Sequence, residues 1–265
     1  MATVGLRGNH IYDHLGVRST RIDDESAETH MPINDGVRVS GGLRAAPLGL
    51  AFEQGVASYM FDRVMAMPAQ ISLHIRDRGE GVKSIRSETH VIRWGRTLVT
   101  TDGQIRDVDC PSRLIAYGSI AWVVIGDPPD RSGRGGMTPS PYEEAGVDVI
   151  GAVGITPLDD GSGCRVERIT PQTAGPGGIL HAGMFQLLSE EAALVAAASA
   201  TGASKLMAVD CTYNLLRPGK IGPFVAVAEV LCGAEEGVDT KVTVRDEGNN
   251  DRVLAVSFVR VRPLG

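Results

Sequence analysis

Hydrophobic and polar residues alternate along much of the C-terminal part of the chain. The segments VDCTYNLL, FVAVAEVL, TKVTVRDE and RVLAVSFVRV have a period of two and are rich in β-branched residues. This pattern is typical of half-buried antiparallel strands. RPGK at 217–220 and DEGNND at 246–251 contain residues that favour turns, so we predict that they connect neighbouring strands.

Two stretches are apolar around most of the helical circumference, roughly Pro47–Ala66 and Gly183–Ala200. A helix with this pattern has to be covered on nearly all sides. A curved antiparallel sheet wrapped around each helix would provide the cover. The order of a first strand, a Gly-Gly turn, a long helix and then a strand meander therefore predicts an α+β fold.

The chain repeats itself. Residues His14–Pro47 align without a gap on Ile150–Gly183 at a constant offset of 136, and a short insertion after the helix changes the offset. Identical pairs along the two alignments include Asp23/Asp159, Asp24/Asp160, Ser26/Ser162, Gly41/Gly177, Gly42/Gly178, Arg106/Arg245, Asp107/Asp246, Arg113/Arg252 and Ala116/Ala255. A period of this length indicates two copies of one fold unit.

The repeat divides the chain into an N-terminal unit at 1–125, a linker at 126–146 and a C-terminal unit at 147–265. The linker, GDPPDRSGRGGMTPSPYEEAG, is rich in proline, glycine and serine. Such a composition predicts an exposed connection without secondary structure of its own.

Composition excludes several classes of function. The formal net charge is −6 with a pI near 5.5, which gives no reason to expect a nucleic-acid partner. No apolar run approaches the ~20 residues that span a bilayer, and the N-terminus lacks a signal-peptide pattern, so we expect a cytoplasmic protein without membrane contact. The four cysteines are far apart and His10 and His14 lack further ligands, so no metal site is expected.

Four short segments carry a resemblance to a known family. They are Gly178–Gly183 for a G-x-x-H-G-G turn, Leu188–Ala192 for an L-x-[DE]-x-A helix segment, Asn214–Pro218 for an N-F-L-R-P strand end and Trp94–Leu98 for an R-G-R-x-L strand. With the order of elements, they make the chain similar to hotdog-fold acyl-CoA thioesterases of the phenylacetate-pathway type. The resemblance covers nearly the whole chain as a tandem double hotdog, in which each long helix is wrapped by a curved antiparallel sheet.

The resemblance implies hydrolysis of an acyl-CoA to the free acid and coenzyme A at the junction of the two units. Coenzyme A would enter only as part of the substrate, with no other cofactor. A helix carboxylate of one unit would act as general base or nucleophile, and N–H groups opening the other unit's helix would hold the oxyanion. Helix N-termini offer unpaired donors and a positive dipole end for this purpose.

The family's carboxylate position, nine residues after His181, is Glu190, with Glu191 left open as the functional acid. We expect Glu190 to face the turn that contains Arg44, Ala45 and Ala46, with the Ala46 N–H as the oxyanion donor and Arg44 beside the substrate.

By the offset of 136, Glu190 corresponds to Gln54 and His181 to Ala45. We therefore expect Gln54 to face His181, Ala182 and Gly183 at a second junction. This junction could bind acyl-CoA through the Ala182 N–H and His181, with Gln54 polarising or holding the carbonyl rather than attacking it. At most one competent site per chain is expected, at Glu190.

The sequence leaves four questions open. Arg217 and Lys220 flank the RPGK turn and could contact the phosphates of coenzyme A, or they could be solvated surface. The alternative is a non-catalytic acyl-CoA binding or regulatory protein, because Gln54, Ala45 and Gly175 replace residues that the family has at these positions. An enoyl-thioester hydratase is a third possibility and ranks last. The acyl group and a homo-oligomeric state are undetermined.

Overall fold

The computed structural model describes residues 11–128, 148–234 and 236–264. His10 and most of the linker expected at 126–146 lie outside the described residues. Among the described residues, the N-terminal half contains α1 (Ile11–His14), β1 (Arg18–Arg21), β2 (Ser26–Pro32), β3 (Arg38–Val39), β4 (Gly42–Leu43), α2 (Ala45–Met60), β5 (Met65–Ile75), β6 (Ser84–Trp94), β7 (Leu98–Asp107) and β8 (Leu114–Gly126).

The C-terminal half repeats this order. It contains α3 (Val149–Ala152), β9 (Ile155–Pro157), β10 (Gly163–Val166), α4 (Ala182–Thr201), β11 (Leu206–Leu215), β12 (Phe224–Ala234), β13 (Gly237–Asp246) and β14 (Arg252–Pro263). The four alternating segments of the sequence are β11 to β14, which confirms that part of the prediction. A short β3–β4 hairpin, separate from the main sheet, precedes α2 in the first half.

Twelve strands form one antiparallel sheet in the order β1-β2-β6-β7-β8-β5-β11-β14-β13-β12-β10-β9. The second half of this order repeats the first half in reverse. The two halves join through β5 and β11, where Ser72 pairs with Thr212 and Ile71 with Tyr213. The internal repeat of the sequence therefore appears as an approximate two-fold relation within one continuous sheet, and the α+β class is confirmed.

Helices α2 and α4 pack against the same face of this sheet and against each other. The two helices are in tight contact at Gly49, where an added Cβ would collide with the side-chain oxygen of Gln186. Glycine at this point thus allows the two helices to touch. Most residues of both helices are buried, as their apolar circumference predicts.

The predicted helix ends need correction. Helix α2 runs from Ala45 to Met60 rather than to Ala66, because the chain turns after Met60 and β5 begins at Met65. Pro47 lies in the first turn of α2, where the N–H that it lacks would have no intrahelical partner. No helix in the described parts of the chain is both long and apolar enough to cross a bilayer.

Candidate active site

The two long helices begin 137 positions apart, α2 at Ala45 and α4 at Ala182. The offset of 136 holds up to the Gly-Gly pairs, but the C-terminal half has one more residue between that pair and its helix. Arg44 and His181, each the residue before its helix, are therefore equivalent. The correspondence of Glu190 with Gln54 is wrong by one residue, and the counterpart of Glu190 is Glu53.

The first junction, called the Glu190 junction, joins α4 to the start of α2. Glu190 is fully buried and accepts two hydrogen bonds, from the N–H of Ala45 to Oε1 (2.7 Å) and from the N–H of Ala46 to Oε2 (2.9 Å). Nη1 of the buried Arg44 donates to Oε2 of Glu191 (2.8 Å). The residues that the sequence predicted to meet do lie together here.

Glu190 itself occupies the donors of this junction. Ala45 and Ala46 supply the first two N–H groups of α2, and Pro47 supplies none. Burial raises the pKa of Glu190, while the charge of Arg44 and the two amides oppose that rise. While the carboxylate stays in place, neither amide can receive a substrate oxygen.

The second junction, called the Glu53 junction, joins α2 to the start of α4. The buried Glu53 accepts a hydrogen bond at Oε2 from Nε2 of Gln186 on α4 (3.1 Å). The ring of Tyr12 from α1 meets the His181 ring edge-on, with 5.1 Å between their centroids. The pKa of the Tyr12 phenol is raised, mainly by burial and secondly by the negative charge of Glu53.

The start of α4 is arranged differently from the start of α2. His181 caps the helix through Nδ1, which accepts from the N–H of Gly183 (3.0 Å) and so places the ring proton of the neutral imidazole on Nε2. The N–H of Ala182, equivalent to that of Ala45, has no hydrogen-bond partner within the described parts of the chain. The Glu53 junction thus combines a buried carboxyl with an open helix-start amide.

Burial raises the pKa of Glu53 from 4.5 to about 8, against a smaller lowering effect of the Gln186 hydrogen bond. Glu53 therefore changes its charge close to neutral pH. A carboxyl with this property can hold a proton and release it at working pH, which is the requirement for general acid–base catalysis.

The raised pKa of Glu53 predicts a pH dependence of stability. The folded protein binds this proton more tightly than the unfolded chain, so the contribution is fully present below about pH 4.5 and is lost as the pH rises through about 8. At about 1.4 kcal/mol per pH unit, the loss amounts to about 5 kcal/mol at most. Urea unfolding from about pH 5 to about pH 9 measures it. Glu53→Gln should remove this part of the slope; an unchanged slope contradicts the assignment.

The remaining predicted residues lie at different distances from the two junctions. Gln54 is half-buried on α2, one position beyond Glu53. Arg217 and Lys220 are exposed on the loop between β11 and β12, and the Gly219 carbonyl of this loop accepts from the N–H of Leu180, directly before His181 (2.9 Å). The loop that carries both cations therefore adjoins the His181 turn.

Sequence reasoning missed Glu53, Gln186 and Tyr12. A signal for Glu53 was present, since it follows Arg44 by nine residues just as Glu190 follows His181. Two surface clefts, of about 290 and 410 Å³, share no residue with either junction. They are lined by Pro157, Leu158, Asp159, Asp160 and Arg165, and by Arg93, Gly95, Arg96, Thr97, Leu98 and Thr100.

No protein-family description and no curated protein sequence matches the chain. Solved structures do match. A proposed thioesterase from Novosphingobium aromaticivorans is 17% identical with a TM-score of 0.64, over 93% of this chain and 98% of that one. The tesB protein of Mycobacterium avium subs paratuberculosis is 11% identical with a TM-score of 0.65, over 94% and 96%.

The 12:0-ACP thioesterase from Umbellularia californica is 12% identical with a TM-score of 0.59, over 99% of this chain and 100% of that one. At these identities the likeness establishes the fold. The chain therefore shares its fold with these solved structures over at least 93% of its length, as the resemblance in the sequence implied.

Proposed function

We propose that the chain is a tandem double hotdog, with units at 1–125 and 147–265, that hydrolyses an acyl thioester to the free acid and a thiol. Likeness over 93% or more of the chain to proteins named as thioesterases supports the reaction class. The observation that carries the proposal is the buried carboxyl of Glu53, with a pKa of about 8, at the junction that also holds the open N–H of Ala182.

The Glu53 junction is favoured over the Glu190 junction as the reaction centre. An oxyanion donor has to be free to meet the substrate, and the amides of Ala45 and Ala46 already bind Glu190. Catalysis by Glu190 with the Ala46 N–H, as expected from the sequence, would first require that carboxylate to leave both donors. We assign Glu190 to holding the two halves together.

The proposed reaction uses Glu53 as general base. Ionised Glu53 takes a proton from a water molecule, whose oxygen attacks the thioester carbonyl carbon. The carbonyl oxygen becomes negative and is held by the Ala182 N–H at the positive end of α4. The intermediate then expels the thiolate, which receives the proton from Glu53, so the acid and the thiol leave with the base regenerated.

Neighbouring side chains complete this proposed centre. Gln186 holds the Glu53 carboxyl by its amide N–H, which fixes the direction of the base. His181 keeps the start of α4 ordered by accepting from Gly183 and lies at the edge of the site. The buried Tyr12 packs edge-on against the His181 ring and lies close enough to Glu53 for the two charges to interact. We therefore propose that the substrate reaches Glu53 after the Tyr12 side chain moves aside.

Acyl-CoA is the proposed substrate. Arg217 and Lys220 are exposed on the loop that is hydrogen-bonded to the residue before His181, so the phosphates of coenzyme A would meet positive charge beside the reaction centre. Coenzyme A enters only as part of the substrate, and no further cofactor is proposed.

A panel of acyl-CoA thioesters of different chain length and polarity, followed by thiol release, tests the proposal. We expect release above the uncatalysed rate for at least one class of acyl group. Binding of acyl-CoA without release across the panel would overturn the hydrolase in favour of a non-catalytic acyl-CoA binding protein. The chain length of the acyl group that is hydrolysed fastest also indicates the depth of the acyl site.

A further inference from the structure

A buried carboxylate fixes the loop between β11 and β12, here called the 216–223 loop. Asp246, at the end of β13, has no exposed surface. Its Oδ2 accepts from the N–H groups of Lys220 (2.9 Å) and Ile221 (3.2 Å), and its Oδ1 accepts from that of Gly222 (2.8 Å). Three consecutive backbone amides therefore depend on one side chain.

The 216–223 loop in turn supports the residue before His181. The carbonyl of Gly219 accepts from the N–H of Leu180 (2.9 Å). Gly219 also packs tightly, since an added Cβ would lie 2.7 Å from the Phe224 ring and 3.0 Å from the Leu180 Cβ. From Leu180 the chain continues directly into His181 and Ala182, so a displacement of the loop moves the start of α4.

We propose that Asp246 is a positioning residue for the reaction centre, and this inference rests on the proposed function. Through Gly219 and Leu180, it fixes where the Ala182 N–H points relative to Glu53. It does not touch the substrate. An oxyanion donor acts only when it is directed at the developing charge, so loosening this chain of contacts should reduce turnover more than substrate binding.

The N-terminal half contains an equivalent support, which provides a matched control. Asp107, the repeat partner of Asp246, accepts from the N–H of Asp109 (3.0 Å) and from Nη1 of Arg113 (3.4 Å). Arg113 donates to both carboxylate oxygens of Asp77. The carbonyl of Arg78, the residue after Asp77, accepts from the N–H of Leu43 (3.0 Å). This second chain of contacts supports the turn before Arg44, at the Glu190 junction.

The test compares Asp246→Asn with Asp107→Asn in the full-length protein. Asparagine has nearly the same shape as aspartate, but one of its two polar atoms is an NH2 group that cannot accept a hydrogen bond. At position 246 this group would face backbone N–H donors of the 216–223 loop. For Asp246→Asn we expect kcat for acyl-CoA hydrolysis to fall at least about tenfold with KM changed less than about threefold. Amide hydrogen exchange at Leu180 should accelerate. For Asp107→Asn we expect kcat within about twofold of wild type and unchanged exchange at Leu180.

A loss of kcat no larger in Asp246→Asn than in Asp107→Asn, or unchanged exchange at Leu180, would overturn the inference. If Asp246→Asn does not fold, Gly219→Ala replaces it, because the added methyl group pushes the loop away from Leu180 while Asp246 stays intact. Hydrogen exchange needs no substrate. If the wild-type protein does not hydrolyse acyl-CoA, the proposed function is wrong, and so is the effect of Asp246 on kcat. If exchange at Leu180 still accelerates in Asp246→Asn, the role of Asp246 in fixing the start of α4 is retained.

Discussion

Replacement of Glu53 by glutamine lowers kcat for acyl-CoA hydrolysis by about 10³-fold, within the range that general bases contribute. Glutamine has nearly the same size and can still bond to Gln186, but it cannot accept a proton from water. In the wild type, kcat should rise with pH towards a plateau above the Glu53 pKa of about 8. Steady-state thiol release with the best substrate of the acyl-CoA panel measures both effects.

Glu190→Gln is the matched control for this experiment, because the same substitution is made at the equivalent position of the other helix. We expect Glu190→Gln to retain kcat within about tenfold of wild type and to keep the pH dependence, since Glu53 and Ala182 are unchanged. The reverse ranking, with Glu190→Gln inactive and Glu53→Gln active, would move the reaction centre to the Glu190 junction.

Removal of the Glu190 side chain should destabilise the protein more than removal of the neighbouring Glu191 side chain. Glu190→Ala leaves the buried amides of Ala45 and Ala46 without acceptors. It also leaves the charge of Arg44 beside the cavity, with Glu191 and Asp148 as ion-pair partners. Loss of one partner from a buried charged contact costs about 3–5 kcal/mol. Urea unfolding at neutral pH measures the difference in the free energy of unfolding.

Glu191→Ala is the control for this stability prediction. The Glu191 side chain is 25% exposed and forms one ion pair with Arg44, so we expect a loss of only about 1–2 kcal/mol. A destabilisation by Glu190→Ala that is no larger than that of Glu191→Ala would show that the carboxylate–amide contact does not hold the two halves together.

Periodicity was sufficient to predict the long helices and the strands of the C-terminal half. Alternation over β11 to β14 identified strands, and the apolar circumference of Met184–Ala198 required a helix covered by a sheet. These patterns extend over ten or more residues, so that an error of one residue changes little. The single repeat, which was visible in residue identities, likewise appears as the approximate two-fold relation of the sheet.

The same reasoning failed where one residue decides the chemistry. The extra residue before α4 changes which side chain of α2 is equivalent to Glu190, and identities at Gly41 and Gly42 gave no sign of it. The nine-residue spacing from Arg44 to Glu53 could have corrected the register. Contacts such as that of Gln186 with Glu53 depend on how α2 and α4 cross, which one-dimensional periodicity does not specify.

The sequence also could not show which amides are free. The sequence offered the Ala46 N–H and the Ala182 N–H as donors at the two helix starts. The distinction arises because Glu190 reaches the amides of Ala45 and Ala46 while the Ala182 N–H stays open. That difference depends on side-chain rotamers at two junctions. It is the reason why the expected centre at Glu190 and the proposed centre at Glu53 differ.

A crystal structure of the Glu53→Gln variant with an uncleaved acyl-CoA tests the central claim most directly. We expect the thioester carbonyl oxygen within about 3 Å of the Ala182 nitrogen, with the carbonyl carbon facing residue 53 and Glu190 still bound to Ala45 and Ala46. A thioester carbonyl bound at the amides of Ala45 and Ala46, with Glu190 displaced, would contradict the account.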